Sequence, residues 1–230
     1  MVLEVPAWVE TRATEILEQL EPESIAVYLF LRNRFAADDH DPATDKLFQF
    51  VFRSFYRVDN AGLTPQFKIR FFELMSAARS KGTADVSTIV TDLWSIPNLR
   101  AQRSIQFSFA TKLGATVCSQ TPIYDSEVAA VFGFRRPNQK KAFGKRLDDY
   151  LAFYSRLQAT YDRILDDDAL NPIRTRFRAQ FRCSEEQVSE HKALDFIFWA
   201  AGRFQRKQGK EVSIKQRSPV VTTLKTDRKE

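Results

Sequence analysis

The chain has 230 residues, of which 43% are hydrophobic and 28% charged, a balance that is typical of a folded globular protein and excludes a disordered one. Its 7 glycines, beside 20 phenylalanines, are too few for the tight turns of all-β meanders and barrels. The formal net charge of +6 is unevenly spread: residues 93–147 carry +7 and residues 203–230 carry +6, while residues 1–92 and 148–202 carry −4 and −3. A basic block can bind a polyanion, and residues 93–147 indicate such a partner, whereas residues 203–230 are more simply a solubilising tail.

Apolar residues recur at three- and four-residue intervals along nearly the whole chain, which predicts helices. Pro6 and Pro22 begin the first two helices, because proline is favoured in a first helical turn. The later predicted helices cover about 43–57, 65–81, 85–94, 99–117, 126–132, 139–166, 172–182 and 185–204. The sequence therefore predicts an all-α protein, with a single domain of about ten helices over residues 1–206 and a basic flexible tail over residues 207–230.

The cysteine and histidine content argues against a metal site or a disulfide framework. Cys118 and Cys183 are the only cysteines and His40 and His191 the only histidines, and none of them has a metal-ligand spacing. No Walker loop and no G-x-G-x-x-G motif is present, so we expect neither a cofactor nor a metal. The N-terminus lacks the basic start of a signal peptide, and no apolar stretch is long enough to span a membrane. The sequence favours a cytoplasmic protein, or a nuclear one if the host has a nucleus, without a membrane partner.

Lys112 is the only charged residue between Arg103 and Asp125, and it stands in a largely apolar predicted helix. A lysine in such a place either extends its ammonium to the surface or is desolvated and activated as an amine nucleophile. Asp125 begins the next predicted helix, thirteen residues on, where an aspartate commonly caps the helix N-terminus. Taken singly, each residue has an ordinary structural explanation.

Taken together, the two residues lie in a segment that resembles the active-site stretch of the helix-hairpin-helix DNA glycosylase superfamily. In that family a helix beginning Lys-Thr-Ala leads to an apolar-apolar-Asp-Thr/Ser-x-Val segment, which Ile123-Tyr-Asp-Ser-Glu-Val128 matches. The resemblance covers residues 104–133, and Asn98-Leu-Arg-Ala-Gln-Arg103 replaces the family's Gly-x-Gly hairpin. It implies that Lys112 is the Schiff-base lysine, which attacks the anomeric carbon of a flipped nucleotide, and that Asp125 stabilises the positive charge that develops on the sugar.

The inner basic block, residues 93–147, surrounds this segment and predicts a nucleic-acid partner, most simply DNA. We expect Lys112 and Asp125 to line one cleft that arginines border. The residues predicted to contact the phosphate backbone are Arg100, Arg103, Arg135, Arg136, Lys140, Lys141, Lys145 and Arg146.

Three functions follow from these patterns. The first is a DNA-binding protein that acts as a base-excision glycosylase or abasic-site lyase. The second is a nucleic-acid-binding module without catalysis, in which Lys112 and Asp125 are structural. The third is a helical protein-interaction module whose basic blocks are incidental.

Overall fold

A computed structural model describes residues 2–217, and within that range it contains eleven α-helices and no strand. The prediction of an all-α fold is confirmed. No helix in the described part of the chain is long and apolar enough to cross a bilayer. The helices are α1 (Trp8–Thr11), α2 (Ala13–Leu17), α3 (Pro22–Ala36), α4 (Lys46–Phe55), α5 (Pro65–Lys81), α6 (Val86–Trp94), α7 (Phe107–Val117), α8 (Ser126–Val131), α9 (Phe143–Asp166), α10 (Asn171–Phe181) and α11 (Glu190–Arg217).

Short polar side chains set the start of several helices. The side chain of Asp45 accepts a hydrogen bond from the Phe48 N–H at the start of α4, and Thr64 does the same for the Phe67 N–H at the start of α5. Each cap satisfies an N–H group that has no partner inside its helix. A 3₁₀ turn at Val58–Ala61 links α4 to α5.

Helix α7 is shorter at its N-terminus than the periodicity predicts, because residues 98–102 form a tight turn instead of a helical one. The side-chain oxygen of Asn98 accepts hydrogen bonds from the N–H groups of Arg100 (2.9 Å) and Gln102 (3.0 Å). Ala101 takes a left-handed conformation, with φ at +56°, which a helix does not allow. The helix therefore starts at Phe107.

Helix α11 is longer than predicted, since it continues to Arg217. The apolar stripe ends near Phe204, but glutamine, arginine and lysine follow, and these residues have high helix propensity. Residues 207–217, the first part of the predicted tail, thus continue the last helix. The rest of the predicted tail, residues 218–230, lies outside the described residues.

Aromatic side chains fill the core in two groups. Phe48, Phe52, Phe71 and Phe72 form one group between α4 and α5, and the rings of Phe52 and Phe72 meet edge-on with centroids 5.7 Å apart. The second group lies beside α7 and α9. Its members are Phe107, Tyr124, Phe134, Tyr150 and Phe153. Buried rings of this size supply most of the apolar area of such a core, which accounts for the large number of phenylalanines.

Helices α8 and α11 pack with their backbones in direct contact. Gly202 of α11 is fully buried, and a Cβ atom built there would lie 2.7 Å from the Cα of Glu127 in α8, well inside van der Waals contact. Only glycine allows the two helices to approach this closely. The contact determines how α11 stands against the residues that follow Asp125.

Candidate active site

Helix α7 holds Lys112 inside the protein. The residue is 7% exposed, and its Nζ donates a hydrogen bond to Ser108 Oγ at 2.6 Å, one helical turn earlier. The rings of Phe109 and Tyr56 have their centroids 5.5 Å and 5.8 Å from Nζ, which is within the range of cation–π attraction. Lys112 therefore does not extend its ammonium to the protein surface, and the surface alternative is wrong.

Asp125 precedes α8 and uses both of its carboxylate oxygens. Oδ1 accepts a hydrogen bond from the Glu127 N–H at 3.0 Å and so caps α8, and Oδ2 lies 3.1 Å from Lys112 Nζ. Burial acts to raise the pKa of Asp125, but the charge of Lys112, the capping hydrogen bond and the charge of Arg136 together outweigh it. The pKa of Asp125 consequently lies below its ordinary value, and the carboxylate is ionised at neutral pH.

Two hydrogen bonds fix the backbone that leads into Asp125. The Tyr124 N–H donates a hydrogen bond to Thr111 Oγ1 at 3.1 Å. Thr111 precedes Lys112 and Tyr124 precedes Asp125, so this hydrogen bond links the two segments that carry the pair. The Ile123 N–H donates to Asp195 Oδ1 of α11 at 2.9 Å. Both hydrogen bonds are buried, and they hold the lysine and the aspartate in register across the two segments.

Lys112 and Asp125 line the same cleft, which has a volume of about 890 Å³. Its walls come from the end of α4 and the 3₁₀ turn, from α7, from the start of α8 and from α11. Aromatic side chains contribute much of the lining, among them Tyr56, Phe109, Phe196 and Trp199. A cleft of this size accommodates a drug-sized or nucleotide-sized group between flat rings.

Four arginines also line the cleft, and they come from distant parts of the sequence: Arg57 follows α4, Arg136 lies between α8 and α9, and Arg203 and Arg206 belong to α11. Arg57 has a left-handed backbone conformation, with φ at +55°. The excess of positive charge is partly offset by Glu127, which lies 2.8 Å from Arg206 Nη1. The remaining charge favours an anionic ligand.

Of the eight basic residues predicted to contact phosphate, Arg136 alone lines the cleft. Arg100, Arg103, Arg135, Lys140 and Lys145 are exposed but lie outside it. Lys141 forms an ion pair with Asp149 at 2.7 Å, and the guanidinium of Arg146 lies over the ring of Trp94 at 5.8 Å from its centroid. The structure therefore divides the predicted set into one cleft residue and seven residues elsewhere on the molecule.

Sequence reasoning missed seven charged residues of the cleft: Glu21, Arg57, Glu127, Lys192, Asp195, Arg203 and Arg206. Arg57 lies in an acidic segment, and Arg203 and Arg206 begin the basic block beside the predicted tail. A useful signal was available on α11, where Trp199, Arg203 and Arg206 follow one another at helical spacing.

The chemistry of the site depends on an amine beside a carboxylate. Within residues 2–217, no group of three or more His, Cys, Asp or Glu side chains is placed to hold a metal ion. An amine can add to an electrophilic carbon, and a neighbouring carboxylate stabilises positive charge that develops there.

No family model matches the chain, and no curated protein and no solved structure is found to be similar to it.

Proposed function

We propose that this protein binds DNA and acts on an abasic or modified nucleotide, with Lys112 as the amine nucleophile and Asp125 as the carboxylate that stabilises the sugar cation. The observation that carries the proposal is the Lys112–Asp125 pair, 3.1 Å apart, in a cleft that four arginines line. A flipped nucleotide brings a flat base, a sugar and flanking phosphates into one pocket. The aromatic rings of the cleft suit the base, the nucleophile suits the sugar, and the guanidinium groups suit the phosphates.

The exposed basic residues outside the cleft support the proposal that the protein binds a DNA duplex. Arg100 and Arg103 lie in the loop before α7, and Arg135 lies in the loop after α8. Lys145 is exposed in the first turn of α9, where the helix dipole disfavours positive charge. A bound polyanion would offset this unfavourable charge.

Borohydride trapping on a short duplex with one abasic site tests the catalytic part. A Schiff base between an amine and the opened sugar is reduced to a stable covalent adduct. We expect an adduct with the wild type, none with Lys112→Ala, and a rate at least about 100-fold lower with Asp125→Asn, because the variant lacks the carboxylate charge that would stabilise the positively charged Schiff base.

Lys68→Ala is the matched control, since Lys68 also forms an ion pair with an aspartate, Asp59, at 2.6 Å, but lies outside the cleft. It should form the adduct at the rate of the wild type. Absence of an adduct with the wild type, or an adduct that persists in Lys112→Ala, would contradict the proposal.

A non-catalytic nucleic-acid module is the second candidate, and one observation favours it: Lys112 and Asp125 already satisfy each other, and Asp125 also caps α8. This alternative predicts binding that weakens steeply between about 50 and 200 mM salt, with no trapped adduct. Retention of no polynucleotide at low salt would instead favour a protein-interaction module.

A further inference from the structure

A second lysine lines the same cleft. Lys192 of α11 is 5% exposed, and its Nζ lies over the rings of Phe196 and Tyr28, at 5.0 Å and 5.1 Å from their centroids. Among the described residues its hydrogen-bond acceptor is Asp195 Oδ2, at 3.5 Å. An ammonium group has three donors, so two of them are available to a molecule in the cleft.

Asp195 holds this lysine in place relative to the Lys112–Asp125 pair. Its other oxygen, Oδ1, accepts hydrogen bonds from the Ile123 N–H at 2.9 Å and from the Tyr161 hydroxyl at 3.2 Å. Ile123 is two residues before Asp125, so Asp195 joins α11 to the segment that carries Asp125. The position of Lys192 is thereby coupled to the position of the proposed reacting atoms.

The two lysines are also electrostatic neighbours. Burial lowers the pKa of Lys192, the charge of Asp195 opposes that change, and the charge of Lys112 lowers the pKa further. A lysine whose pKa is lowered gives up a proton more readily than an exposed one, which is the property required of a general acid. Such a buried pair adds little net stability to the fold, because the desolvation of both charges is costly.

We propose that Lys192 is the proton donor to the base that leaves when Lys112 attacks the sugar. The inference rests on the proposed function and assigns the part of the cleft beside Lys192 to the leaving base. Lys112 reacts as the neutral amine, after its ammonium proton has passed to water in the cleft. As its nitrogen forms a bond to C1′, the bond from C1′ to the base breaks and its electron pair goes to the base. Lys192 gives that base a proton and becomes a neutral amine, while the Lys112 nitrogen takes the positive charge and then loses a proton to water as the aminal forms, so charge and protons balance.

The experiment compares two measurements on the same variants. Base release is measured in single turnovers on duplexes with one hypoxanthine, uracil or 8-oxoguanine, and borohydride trapping is measured on a duplex with a preformed abasic site. The second reaction has no leaving base. We expect Lys192→Met to slow base release by about 100-fold and to slow trapping far less, by no more than a few-fold.

Two further variants keep the test decisive. Lys192→Met/Asp195→Asn removes the carboxylate that the single variant leaves unpaired, and it should show the same selective loss. Asp195→Asn alone keeps Lys192 and an acceptor for the Ile123 N–H, so it should reduce base release far less. Trapping on the abasic duplex reports in each sample that the fold and Lys112 are intact.

The outcomes separate this inference from the proposed function. An equal loss of base release and trapping in both Lys192 variants would overturn the inference and show that Lys192 only supports the fold. Trapping by the wild type without release of any of the three bases would also overturn it, and would leave an abasic-site lyase. Failure of the wild type to form an adduct would overturn the proposed function itself.

Discussion

The cleft contains two lysine–aspartate pairs, and the comparison between them shows how surroundings decide what the same two residue types do. In the Lys112–Asp125 pair the atoms are 3.1 Å apart, and the side chain of Asp125 is 20% exposed. In the Lys192–Asp195 pair they are 3.5 Å apart, and both side chains are 6% exposed or less. The pKa of Asp125 is lowered, whereas the pKa of Asp195 is raised.

The difference comes from the groups around each carboxylate. Burial acts to raise both pKa values, but Asp125 has Lys112, the Glu127 N–H and Arg136 to stabilise its charge. For Asp195, burial is the largest cause and outweighs Lys192 and the hydrogen bonds from Ile123 and Tyr161. One pair is thus suited to stabilise a cation, and the other is suited to transfer a proton.

The largest expected effect on stability comes from breaking the deeper pair. Lys192→Met leaves the buried Asp195 without its partner, and we expect it to lower the free energy of unfolding by about 3 kcal/mol. Lys192→Met/Asp195→Asn should cost less than the sum of its two single variants, because no buried charge remains unpaired. Urea unfolding of all four proteins measures this coupling. Costs that simply add would show that the two residues do not act as a pair.

Gly202→Ala tests whether the two pairs depend on one helix contact. The new methyl group meets the backbone of Glu127, so α8 and α11 must move apart, and we expect a loss of about 2 kcal/mol together with a fall in trapping. Gly144→Ala is the control: nothing lies within 4 Å of the added Cβ in α9. It should stabilise the protein by about 0.5 kcal/mol. Equal melting temperatures for the two variants would contradict the close packing of α8 and α11.

Thr111→Val removes the hydrogen bond that links the segment of Lys112 to the segment of Asp125. The buried Tyr124 N–H then has no acceptor, which costs about 1–2 kcal/mol, and trapping should slow. Thr160→Val makes the same change far from the cleft, where Thr160 Oγ1 accepts a hydrogen bond from the Leu3 N–H at 2.8 Å. It should cost a similar free energy and leave trapping unchanged. A similar loss of trapping in both variants would show that Thr111 acts only through stability.

The pattern of apolar residues was sufficient to predict most of the helices, whereas the juxtaposition of Lys112 and Asp125 was expected only from the resemblance of their segment to a glycosylase active site. Lys112 lies in α7 and Asp125 caps α8, and the short loop between the two helices brings them together. The apolar pattern did not predict where α7 starts. The turn at Asn98 depends on hydrogen bonds that its side-chain oxygen accepts from backbone N–H groups, and these do not follow from periodicity.

The second pair and the arginines of the cleft could not be predicted in the same way. Lys192 and Asp195 lie three residues apart on α11, where such a spacing is usually an exposed ion pair; their burial depends on α3 and on the Ile123 segment. The arginines come from three segments that are distant in the sequence. Net charge counted along the chain therefore identified exposed loops and missed most of the positive charge in the cleft.

The smallest expected effect is a pair of opposite pH dependences. A lowered pKa means that Asp125 contributes stability that is complete above its ordinary pKa and is lost as the pH falls through the lowered value. Asp195 has a raised pKa, so its ionisation costs stability as the pH rises above its ordinary value. Relative to the wild type, Asp125→Asn should therefore become less stable as the pH rises from strongly acidic values to about 4.

Asp195→Asn should instead gain stability relative to the wild type as the pH rises from about 4 to 7. Since each aspartate binds at most one proton, its effect on the free energy of unfolding changes by at most about 1.4 kcal/mol per pH unit. Urea unfolding across this pH range measures both dependences. Slopes of the same sign would mean that the two aspartates share one environment, and the division of the cleft into a cation-stabilising pair and a proton-transferring pair would then be wrong.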